Sequence, residues 1–352
     1  MTSKNKLKSK INLRNKGRRV NLDILGKLKN LLKIDTYRRD HLIEYLHLIQ
    51  DSLGFINSDY MTALAELLQI SQTEVYEVAT FYHHFDVVKN DKEKPPALTI
   101  RVCDSVTCAM NGADKLIENL DNYYKGTVRI QKVPCVGRCE SAPIAVVKFN
   151  PVDNADLQSV KKTVDAKKFD PQIPNYINMK EYVKNGGYNL LNKIKEGKID
   201  KEKIISELEE SNLRGLGGAG FPAGRKWRIL KEQKGERLLA INIDEGEPGT
   251  FKDRFYLETD PHRFFEGMLI ASEVVEIDKI YIYLRDEYAA TRKIMTDEIL
   301  KIEKHFSNSI PEIELRRGAG SYICGEESAM IESIEGKRGM PRLRPPFVAQ
   351  VG

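Results

Sequence analysis

The sequence has few cysteines and no long apolar segment. Cysteine occupies five of the 352 positions, and no apolar run approaches the roughly 18 residues that a membrane-spanning helix requires. No apolar signal segment opens the chain, which argues against the exported proteins that commonly carry disulfides. These absences predict a cytoplasmic protein with no direct insertion into a membrane.

Acidic side chains are absent from the first 19 residues. That stretch carries eight basic side chains, which are Lys4, Lys6, Lys8, Lys10, Arg14, Lys16, Arg18 and Arg19. A nucleic-acid or partner-docking arm is one interpretation of such a run. A solvated tail is the more common one, because a segment rich in charge cannot bury a core. We therefore predict a disordered tail over residues 1–30 and no binding of nucleic acid.

The chain does contain four cysteines in two close pairs. Cys103 and Cys108 are separated by four residues, Cys135 and Cys139 by three, and 26 residues lie between the pairs. Four thiolates at this spacing can hold a 2Fe-2S cluster. A structural zinc site also uses four cysteines, and disulfides or free thiols are a further alternative, so the spacing alone leaves the ligand open.

Residues 31–92 predict a small helical bundle. The pattern indicates three helices, which lie over 37–54, from near Ser58, and after a capping box formed by Ser71 and Glu74. His83 and His84 follow the third helix directly. Adjacent histidines at such a position are more often capping or surface groups than metal ligands, and we interpret them so.

Beyond the bundle the spacing of the apolar residues changes to the alternation that is typical of β-strands. Residues 93–150 predict three strands and one helix, which lie at 97–103, 127–133, 143–149 and 113–124. Each of the four cysteines then falls on a loop at the end of an element, and neither pair lies inside one. Two loops at one end of a small sheet can converge on a single cluster, which favours ferredoxin-type ligation.

A polar segment over 151–175 separates this region from a larger one. We interpret it as an interdomain linker because it has three prolines and little periodicity. Over 176–352 strands alternate with helices, which is typical of an α/β domain with a largely parallel sheet. The predicted strands are 237–243, 279–284 and 312–317, and the predicted helices are 178–196, 201–210, 261–275 and 288–304.

A glycine-rich stretch lies early in this domain. Residues 214–227 read RGLGGAGFPAGRKW, and Gly215, Gly217 and Gly220 satisfy G-x-G-x-x-G. The dinucleotide fingerprint needs a strand before the glycines, whereas a helix is predicted there, so a standard Rossmann turn is not expected. The glycines let the backbone offer its N–H groups to a phosphate, with Lys226 nearby. A purely structural turn is the alternative.

Two acidic segments are predicted at one end of the sheet, each directly after a strand. They read NIDEGEPGTFKDR over 242–254 and GAGSYICGEE over 318–327. Open α/β sheets bind ligands at that end. Carboxylates there suit the hydroxyl, ring N–H and amide groups of a ribityl chain, a flavin or a nicotinamide; solvated loops are the alternative. Cys324 is interpreted as a packed residue rather than a nucleophile.

These three segments and EGKRGMPRLRPPF over 335–347 resemble the flavin-binding subunit of complex I, in which FMN accepts hydride from NADH. The cysteine-bearing half resembles the 24-kDa-type, thioredoxin-like 2Fe-2S subunit of the same enzymes. The resemblance implies an α/β fold: a helical bundle and thioredoxin-like ferredoxin domain, then an FMN-binding domain of the complex I 51-kDa type. Such fusions occur in diaphorase subunits of NAD-reducing hydrogenases and in β subunits of NAD-dependent formate dehydrogenases. The formate dehydrogenase β subunit is the one most similar to the C-terminal run, which reads ESAMIESIEGKRGMPRLRPPFVAQVG.

The resemblance also implies ligand sets. The FMN phosphate and ring would lie against Gly215, Gly217, Gly218 and Lys226; Asn242, Asp244 and Glu245 would bind the flavin, and Tyr322, Gly325 and Glu326 would line its edge. NAD(H) would be held by Glu247 and Glu327, with Phe221 and Phe347 stacked on adenine, and the 2Fe-2S ligands would be Cys103, Cys108, Cys135 and Cys139. Leu216 replaces a frequent arginine of complex I. Arg344, among the cofactor-binding residues, stands where relatives often have lysine, which keeps the charge but changes its geometry.

For function, the resemblance implies a NAD-dependent oxidoreductase with no catalytic side chain, because FMN supplies the hydride chemistry. Single electrons would pass to iron–sulfur clusters. A molybdenum-containing formate dehydrogenase α subunit and a small γ subunit would be the partners, with formate oxidation coupled to NAD⁺ reduction. An NADH-oxidising subunit of complex I or of a NAD-reducing hydrogenase is one alternative, and a non-catalytic 2Fe-2S scaffold is another. The family continues beyond position 352 with a domain that holds a 4Fe-4S cluster, so the sequence is expected to be incomplete.

Overall fold

The computed structural model describes three stretches of the chain, which are residues 17–89, 93–307 and 309–349. The chain divides into two compact units, one ending at Lys94 and the other beginning at Pro95. Of the eight basic side chains in the predicted tail, only Arg18 and Arg19 are among the described residues. None of the described helices is both long and apolar enough to cross a bilayer.

The first unit is a small helical bundle. Its elements are the helices Leu22–Leu32 (α1), Leu42–Leu53 (α2), Ser58–Leu68 (α3) and Gln72–Phe81 (α4) and the short parallel strands Ile56–Asn57 (β1) and Val87–Val88 (β2). Leu28, Leu46, Leu64 and Val78, one from each helix, are fully buried. The bundle is therefore held together by the apolar faces that the helical periodicity predicted for α2, α3 and α4, together with the apolar face of α1.

Two features of this unit differ from the sequence-based expectation. Helix α1 begins inside the predicted tail and ends just beyond it, because Leu28 and Leu32 form a buried stripe between lysines. His84 was interpreted as a capping or surface group, but it is buried with its ring centroid 4.9 Å from that of His47. The capping box before α4 is confirmed, with reciprocal hydrogen bonds between Ser71 and Glu74.

The second unit opens with a four-stranded mixed sheet. Its elements are the strands Thr99–Cys103 (β3), Arg129–Val133 (β4), Ala145–Val147 (β5) and Asn150–Val152 (β6) and the helices Val106–Met110 (α5), Ala113–Tyr124 (α6) and Leu157–Asp165 (α7). The strand order is β4-β3-β5-β6, with β3 and β4 parallel and the other pairs antiparallel. Ile100, Leu120 and Val160 belong to its apolar core.

The predicted linker over 151–175 is therefore shorter than expected. Strand β6 and helix α7 occupy its first part, and Val152 and Val160 pack into the core of the small sheet. The polar composition of this segment does not reveal α7, because the helix buries only one residue fully. The other eight of its nine residues are exposed or half-buried. The small domain thus extends well past residue 150.

The remaining elements form an α/β domain around a parallel sheet. They are Met179–Lys184 (α8), Asn189–Lys195 (α9), Lys201–Glu210 (α10), Ala223–Lys231 (α11), Leu238–Ile243 (β7), Lys252–Thr259 (α12), Pro261–Val275 (α13), Lys279–Leu284 (β8), Ala289–Phe306 (α14), Glu312–Arg317 (β9) and Glu327–Ile334 (α15). The order β7-β8-β9 is parallel throughout, as predicted. The helix predicted over 178–196 is interrupted at Gly186, which has φ +91°. Parallel strands place the loops after β7 and β9 at one edge of the sheet.

Candidate functional site

The four paired cysteines converge at one end of the small sheet. Cys103 ends β3, Cys135 follows β4, and Cys139 begins the short 3₁₀ helix Cys139–Ser141. Cys108 lies inside α5, so the prediction that all four would lie on loops is wrong for this residue. All four are free thiols, and the Sγ atoms of Cys135 and Cys139 are 3.4 Å apart. The thiol of Cys103 shares hydrogen bonds with those of Cys108 and Cys135.

The pKa values of these thiols are shifted by the neighbouring thiols and by burial. The neighbouring thiol of Cys108, above all, raises the pKa of Cys103 to about 11. The Cys103 thiol and burial raise the pKa of Cys135, whereas the hydrogen bond from Cys103 lowers the pKa of Cys108. Ionisation of one thiol therefore makes ionisation of its neighbours less favourable. Four thiolates can exist together only around a positively charged group.

The four sulfurs would serve as ligands of a metal group. A structural zinc and a 2Fe-2S cluster both take four thiolates, so the comparison with known families below distinguishes between them.

The glycine-rich loop is an open turn between α10 and α11. An N–H···O bond of 3.0 Å from Gly215 to Phe221 closes its base. Between these residues, the backbone N–H groups of 216–220 donate to no described residue, and a Cβ on Gly217 or Gly218 would meet no atom within 4 Å. Successive free N–H groups beside the N-terminus of a helix fit a phosphate. The helix that precedes the loop is observed, so this is not a Rossmann turn.

The end of β7 and the loop that follows it present one exposed amide and one half-buried carboxyl. Asn242, near the end of β7, donates from Nδ2 to the carbonyl oxygen of Gly325 at 2.8 Å, which ties this strand end to the segment after β9. Burial raises the pKa of Asp244 to about 7, against the opposing charge of Arg285. The Oδ2 atom of Asp244 is buried without a hydrogen-bond donor among the described residues. A buried acceptor with no donor fits a ligand N–H group, such as that of a flavin ring.

Glu245 lies in the same loop but its carboxylate points into the protein. It accepts hydrogen bonds from the backbone N–H groups of Asp253 (3.0 Å) and Arg254 (3.4 Å) at the start of α12. It also accepts one from the hydroxyl of Tyr288 at 2.9 Å. The side chain therefore fixes the loop against α12, so a flavin contact from this residue would come from its backbone.

We expect the substitution Glu245→Ala to lower the free energy of unfolding by about 3 kcal/mol. It removes a helix cap worth about 1 kcal/mol and leaves buried donors unpaired at about 1–3 kcal/mol. Urea unfolding would measure the loss, with Glu247→Ala in the same loop as the control. Glu247 is exposed and accepts one exposed hydrogen bond, from Tyr322, so its loss should cost less than about 1 kcal/mol. Equal losses in the two variants would contradict the anchoring role.

The loop after β9 completes this edge of the sheet. The hydroxyl of Tyr322 donates to the carboxylate of Glu247, which joins the two acidic loops a second time. Glu326 caps α15 by accepting from the backbone N–H groups of Ser328 and Ala329, both at 2.9 Å. Burial opposes its ionisation, but these bonds and the charge of Arg344 outweigh burial and lower the pKa of Glu326.

Arg344 lies between the two tandem carboxylates, with an ion pair to Glu326 and another to Glu327 at 2.9 Å. The aromatic rings of Phe221 and Phe347 are about half exposed, as stacking partners for a ligand must be. The structure thus brings together the predicted residues of the loops after β7 and β9. Among the described residues, no hydrogen bond joins the glycine-rich loop to either of them.

A set of residues that the sequence patterns did not reveal connects this edge to the cysteines. The backbone N–H of Gly249 donates to Sγ of Cys139 at 3.1 Å. Arg254 donates from Nε to the carbonyl oxygen of Gly137 at 2.9 Å, and Arg285 donates to the carbonyl oxygens of both Glu245 and Cys135. The sequence does contain a hint of their role. Arg254 lies in the acidic segment over 242–254, and Arg285 directly follows the strand β8, at the ligand-binding edge of the sheet.

Comparison with known families assigns both domains. Residues 28–168 match the thioredoxin-like [2Fe-2S] ferredoxin family, and residues 208–352 match the Nuo51 FMN-binding domain. The chain joins these two domains. The predicted fold class is therefore confirmed, as are FMN and a 2Fe-2S cluster as the cofactors of these domain families, and the matched ferredoxin range covers all four cysteines.

Individual relatives match one or both domains. The chain is 46% identical over 187 residues to a subunit of the NADH-quinone oxidoreductase of Aquifex aeolicus (strain VF5), a match that covers 51% of this chain and 43% of that protein. It is 30% identical over 364 residues to the NAD-reducing hydrogenase HoxS subunit alpha of Cupriavidus necator, covering 91% of this chain and 60% of that one. The chain thus spans about half the length of these curated relatives.

A solved structure matches this chain over both domains. The chain resembles a chain in the crystal structure of an NAD⁺-reducing [NiFe]-hydrogenase in the H₂-reduced state, with a TM-score of 0.73 and 27% identity. The match covers 88% of this chain and 57% of that one. The ferredoxin domain and the FMN-binding domain therefore occur in one chain in that protein as they do here.

Proposed function

We propose that this chain is a diaphorase-type electron-transfer subunit that exchanges hydride between NAD(H) and FMN and passes single electrons to iron–sulfur centres. One observation carries the proposal: the loop after β7, which belongs to the FMN-binding domain, donates the Gly249 N–H to the cluster ligand Cys139 at 3.1 Å. A loop that serves both the proposed flavin site and a ligand of the cluster would keep the two redox centres near each other, which suits short-range electron transfer. Sequence similarity to HoxS subunit alpha over both domains supports the same assignment.

The residues of this chain would bind and orient the reactants. The free N–H groups of 216–220 and the charge of Lys226 would hold the FMN phosphate, while Asn242 and the donor-free oxygen of Asp244 would face the ring. Glu247, Glu327 and the exposed rings of Phe221 and Phe347 would hold NAD(H). FMN, when bound, supplies the chemistry that links a two-electron hydride to one-electron carriers. No side-chain acid or base is required for that step.

We further propose that the physiological partner oxidises formate. The C-terminal run from Glu327 resembles the β subunit of formate dehydrogenases, in which a molybdenum-containing α subunit and a small γ subunit complete the enzyme. The similarity to HoxS subunit alpha favours a second candidate, the diaphorase part of a NAD-reducing hydrogenase. Either partner would deliver electrons to the same cluster and flavin sites.

Two measurements test these proposals separately. Chain loaded with FMN should lose its visible flavin absorbance when NADH is added without oxygen; an unbleached flavin would contradict hydride exchange and favour a non-catalytic scaffold. Metal analysis of the complex that purifies with this chain tests the partner. Molybdenum or tungsten beside iron supports formate oxidation, nickel indicates a hydrogenase, and iron with neither metal indicates a respiratory NADH dehydrogenase.

A further inference from the structure

The loop that carries Cys135 and Cys139 is held by the FMN-binding domain rather than by its own sheet alone. Arg254 donates from Nε to the carbonyl oxygen of Gly137 at 2.9 Å and forms an ion pair with Glu140. Gly137 has φ +69°, and a Cβ at this position would lie 2.3 Å from the hydroxyl oxygen of Tyr288. Only glycine fits there, so the loop is packed closely against the neighbouring domain.

Arg285 is the central residue of this contact. The residue is 4% exposed, and its guanidinium donates both to the carbonyl oxygen of Cys135 and to that of Glu245. One buried cation therefore joins a cluster-bearing loop to a flavin-binding loop. Its carboxylate partner is Glu287, which accepts from Nε at 3.2 Å, and the carboxyl of Asp244 also acts on its charge.

Two further hydrogen bonds in the same region are donated to the sulfur atoms themselves. An N–H group that donates to a ligand sulfur and a cation near the ligand both stabilise the extra electron of a reduced cluster, so both raise its reduction potential. Cys139 receives such a bond from Gly249 at 3.1 Å, and Cys135 receives one from Gly137 at 3.4 Å. Gly249 donates from the flavin-binding loop that Arg285 binds at Glu245, four residues earlier.

We propose that Arg285 is a positioning residue through which the FMN-binding domain raises the reduction potential of the 2Fe-2S centre. Its charge acts on the cluster through the Cys135 backbone, and its two hydrogen bonds keep the Gly249 N–H on Cys139. The inference depends on the proposed cluster but not on NADH oxidation. It predicts that the cluster loses electron affinity when the guanidinium is removed, even if all four cysteine ligands remain.

The test is a redox titration of the cluster, followed by electron paramagnetic resonance, in the full chain. Arg285→Gln should reduce the ratio of reduced to oxidised cluster at a fixed potential about tenfold, which for one electron is about 59 mV. Arg285→Lys, which keeps the charge but cannot form both bonds in the same geometry, should restore part of the loss. Arg263→Gln is the matched control, because Arg263 lies in the same domain with a side chain 80% exposed, and its ratio should stay within about twofold of wild type.

The outcomes separate this inference from the proposed function. An unchanged ratio in Arg285→Gln, or an equal shift in the control, overturns the inference and leaves the cluster assignment intact. A wild-type chain that takes up no 2Fe-2S cluster contradicts both. If Arg285→Gln does not fold, Arg285→Lys replaces it, because lysine keeps the charge but cannot form both hydrogen bonds in the same geometry. A fall of about threefold in its ratio supports the inference, and no change overturns it.

Discussion

Cys135→Ser is expected to reduce the iron content of the reconstituted chain at least about tenfold, from about two atoms per molecule. A 2Fe-2S cluster that is held by four cysteines uses all four thiolates, and the serine hydroxyl is a poor substitute for a thiolate because it is rarely deprotonated at neutral pH. The effect should be large because Cys135 lies against two other ligands, Cys103 and Cys139, so its loss opens the site at its centre. Iron analysis and the visible absorbance of the oxidised cluster measure the result.

The matched control for this prediction is Cys324→Ser. Cys324 is also buried, but it lies in the 3₁₀ helix Tyr322–Gly325 after β9, where Tyr283, Ser321 and Ser333 surround it. This variant should keep its full iron content, with at most a small loss of stability. A colourless wild-type protein that contains zinc, or iron retained in Cys135→Ser, would contradict the four-cysteine cluster.

Gly217→Asp is expected to weaken FMN binding on the order of a hundredfold. A Cβ on Gly217 meets no atom within 4 Å, so the side chain fits without disturbing the loop. Its carboxylate would lie among the free N–H groups of 216–220, where the repulsion of a phosphate at about 4 Å amounts to about 1–4 kcal/mol per charge pair. Each 1.4 kcal/mol corresponds to about a tenfold change in affinity. Titration of flavin fluorescence measures the dissociation constant.

The control for the glycine-rich loop is Gly267→Asp. Gly267 is exposed on α13, and a Cβ there also meets no atom within 4 Å. It lies outside the loops at the ligand edge of the sheet, so its FMN affinity should match that of wild type. If both variants bind FMN as tightly as wild type, the glycine-rich loop does not hold the phosphate. If both lose affinity together with helical circular dichroism, unfolding rather than repulsion explains the result.

Local sequence patterns predicted most of the elements because those patterns act over a few residues. Strand β8 and helix α10 have the predicted bounds, since period-2 and period-3.6 apolar spacing reports the buried face directly. The same local reasoning failed where burial is sparse or broken. Helix α7 buries only Val160 fully, and the interruption at Gly186 depends on a left-handed backbone conformation that a helical pattern conceals.

The sequence by itself supplied the candidate ligand-binding residues of this protein, because cysteine spacing and glycine-rich and acidic motifs are local chemical features. Only the tertiary structure decided how these groups are used. It turned the carboxylate of Glu245 inward as an anchor and left Asp244 with a free acceptor. It also placed Arg285 against Cys135, 150 positions away in the chain. Contacts between such distant residues arise from the packing of whole domains, and no local pattern encodes them.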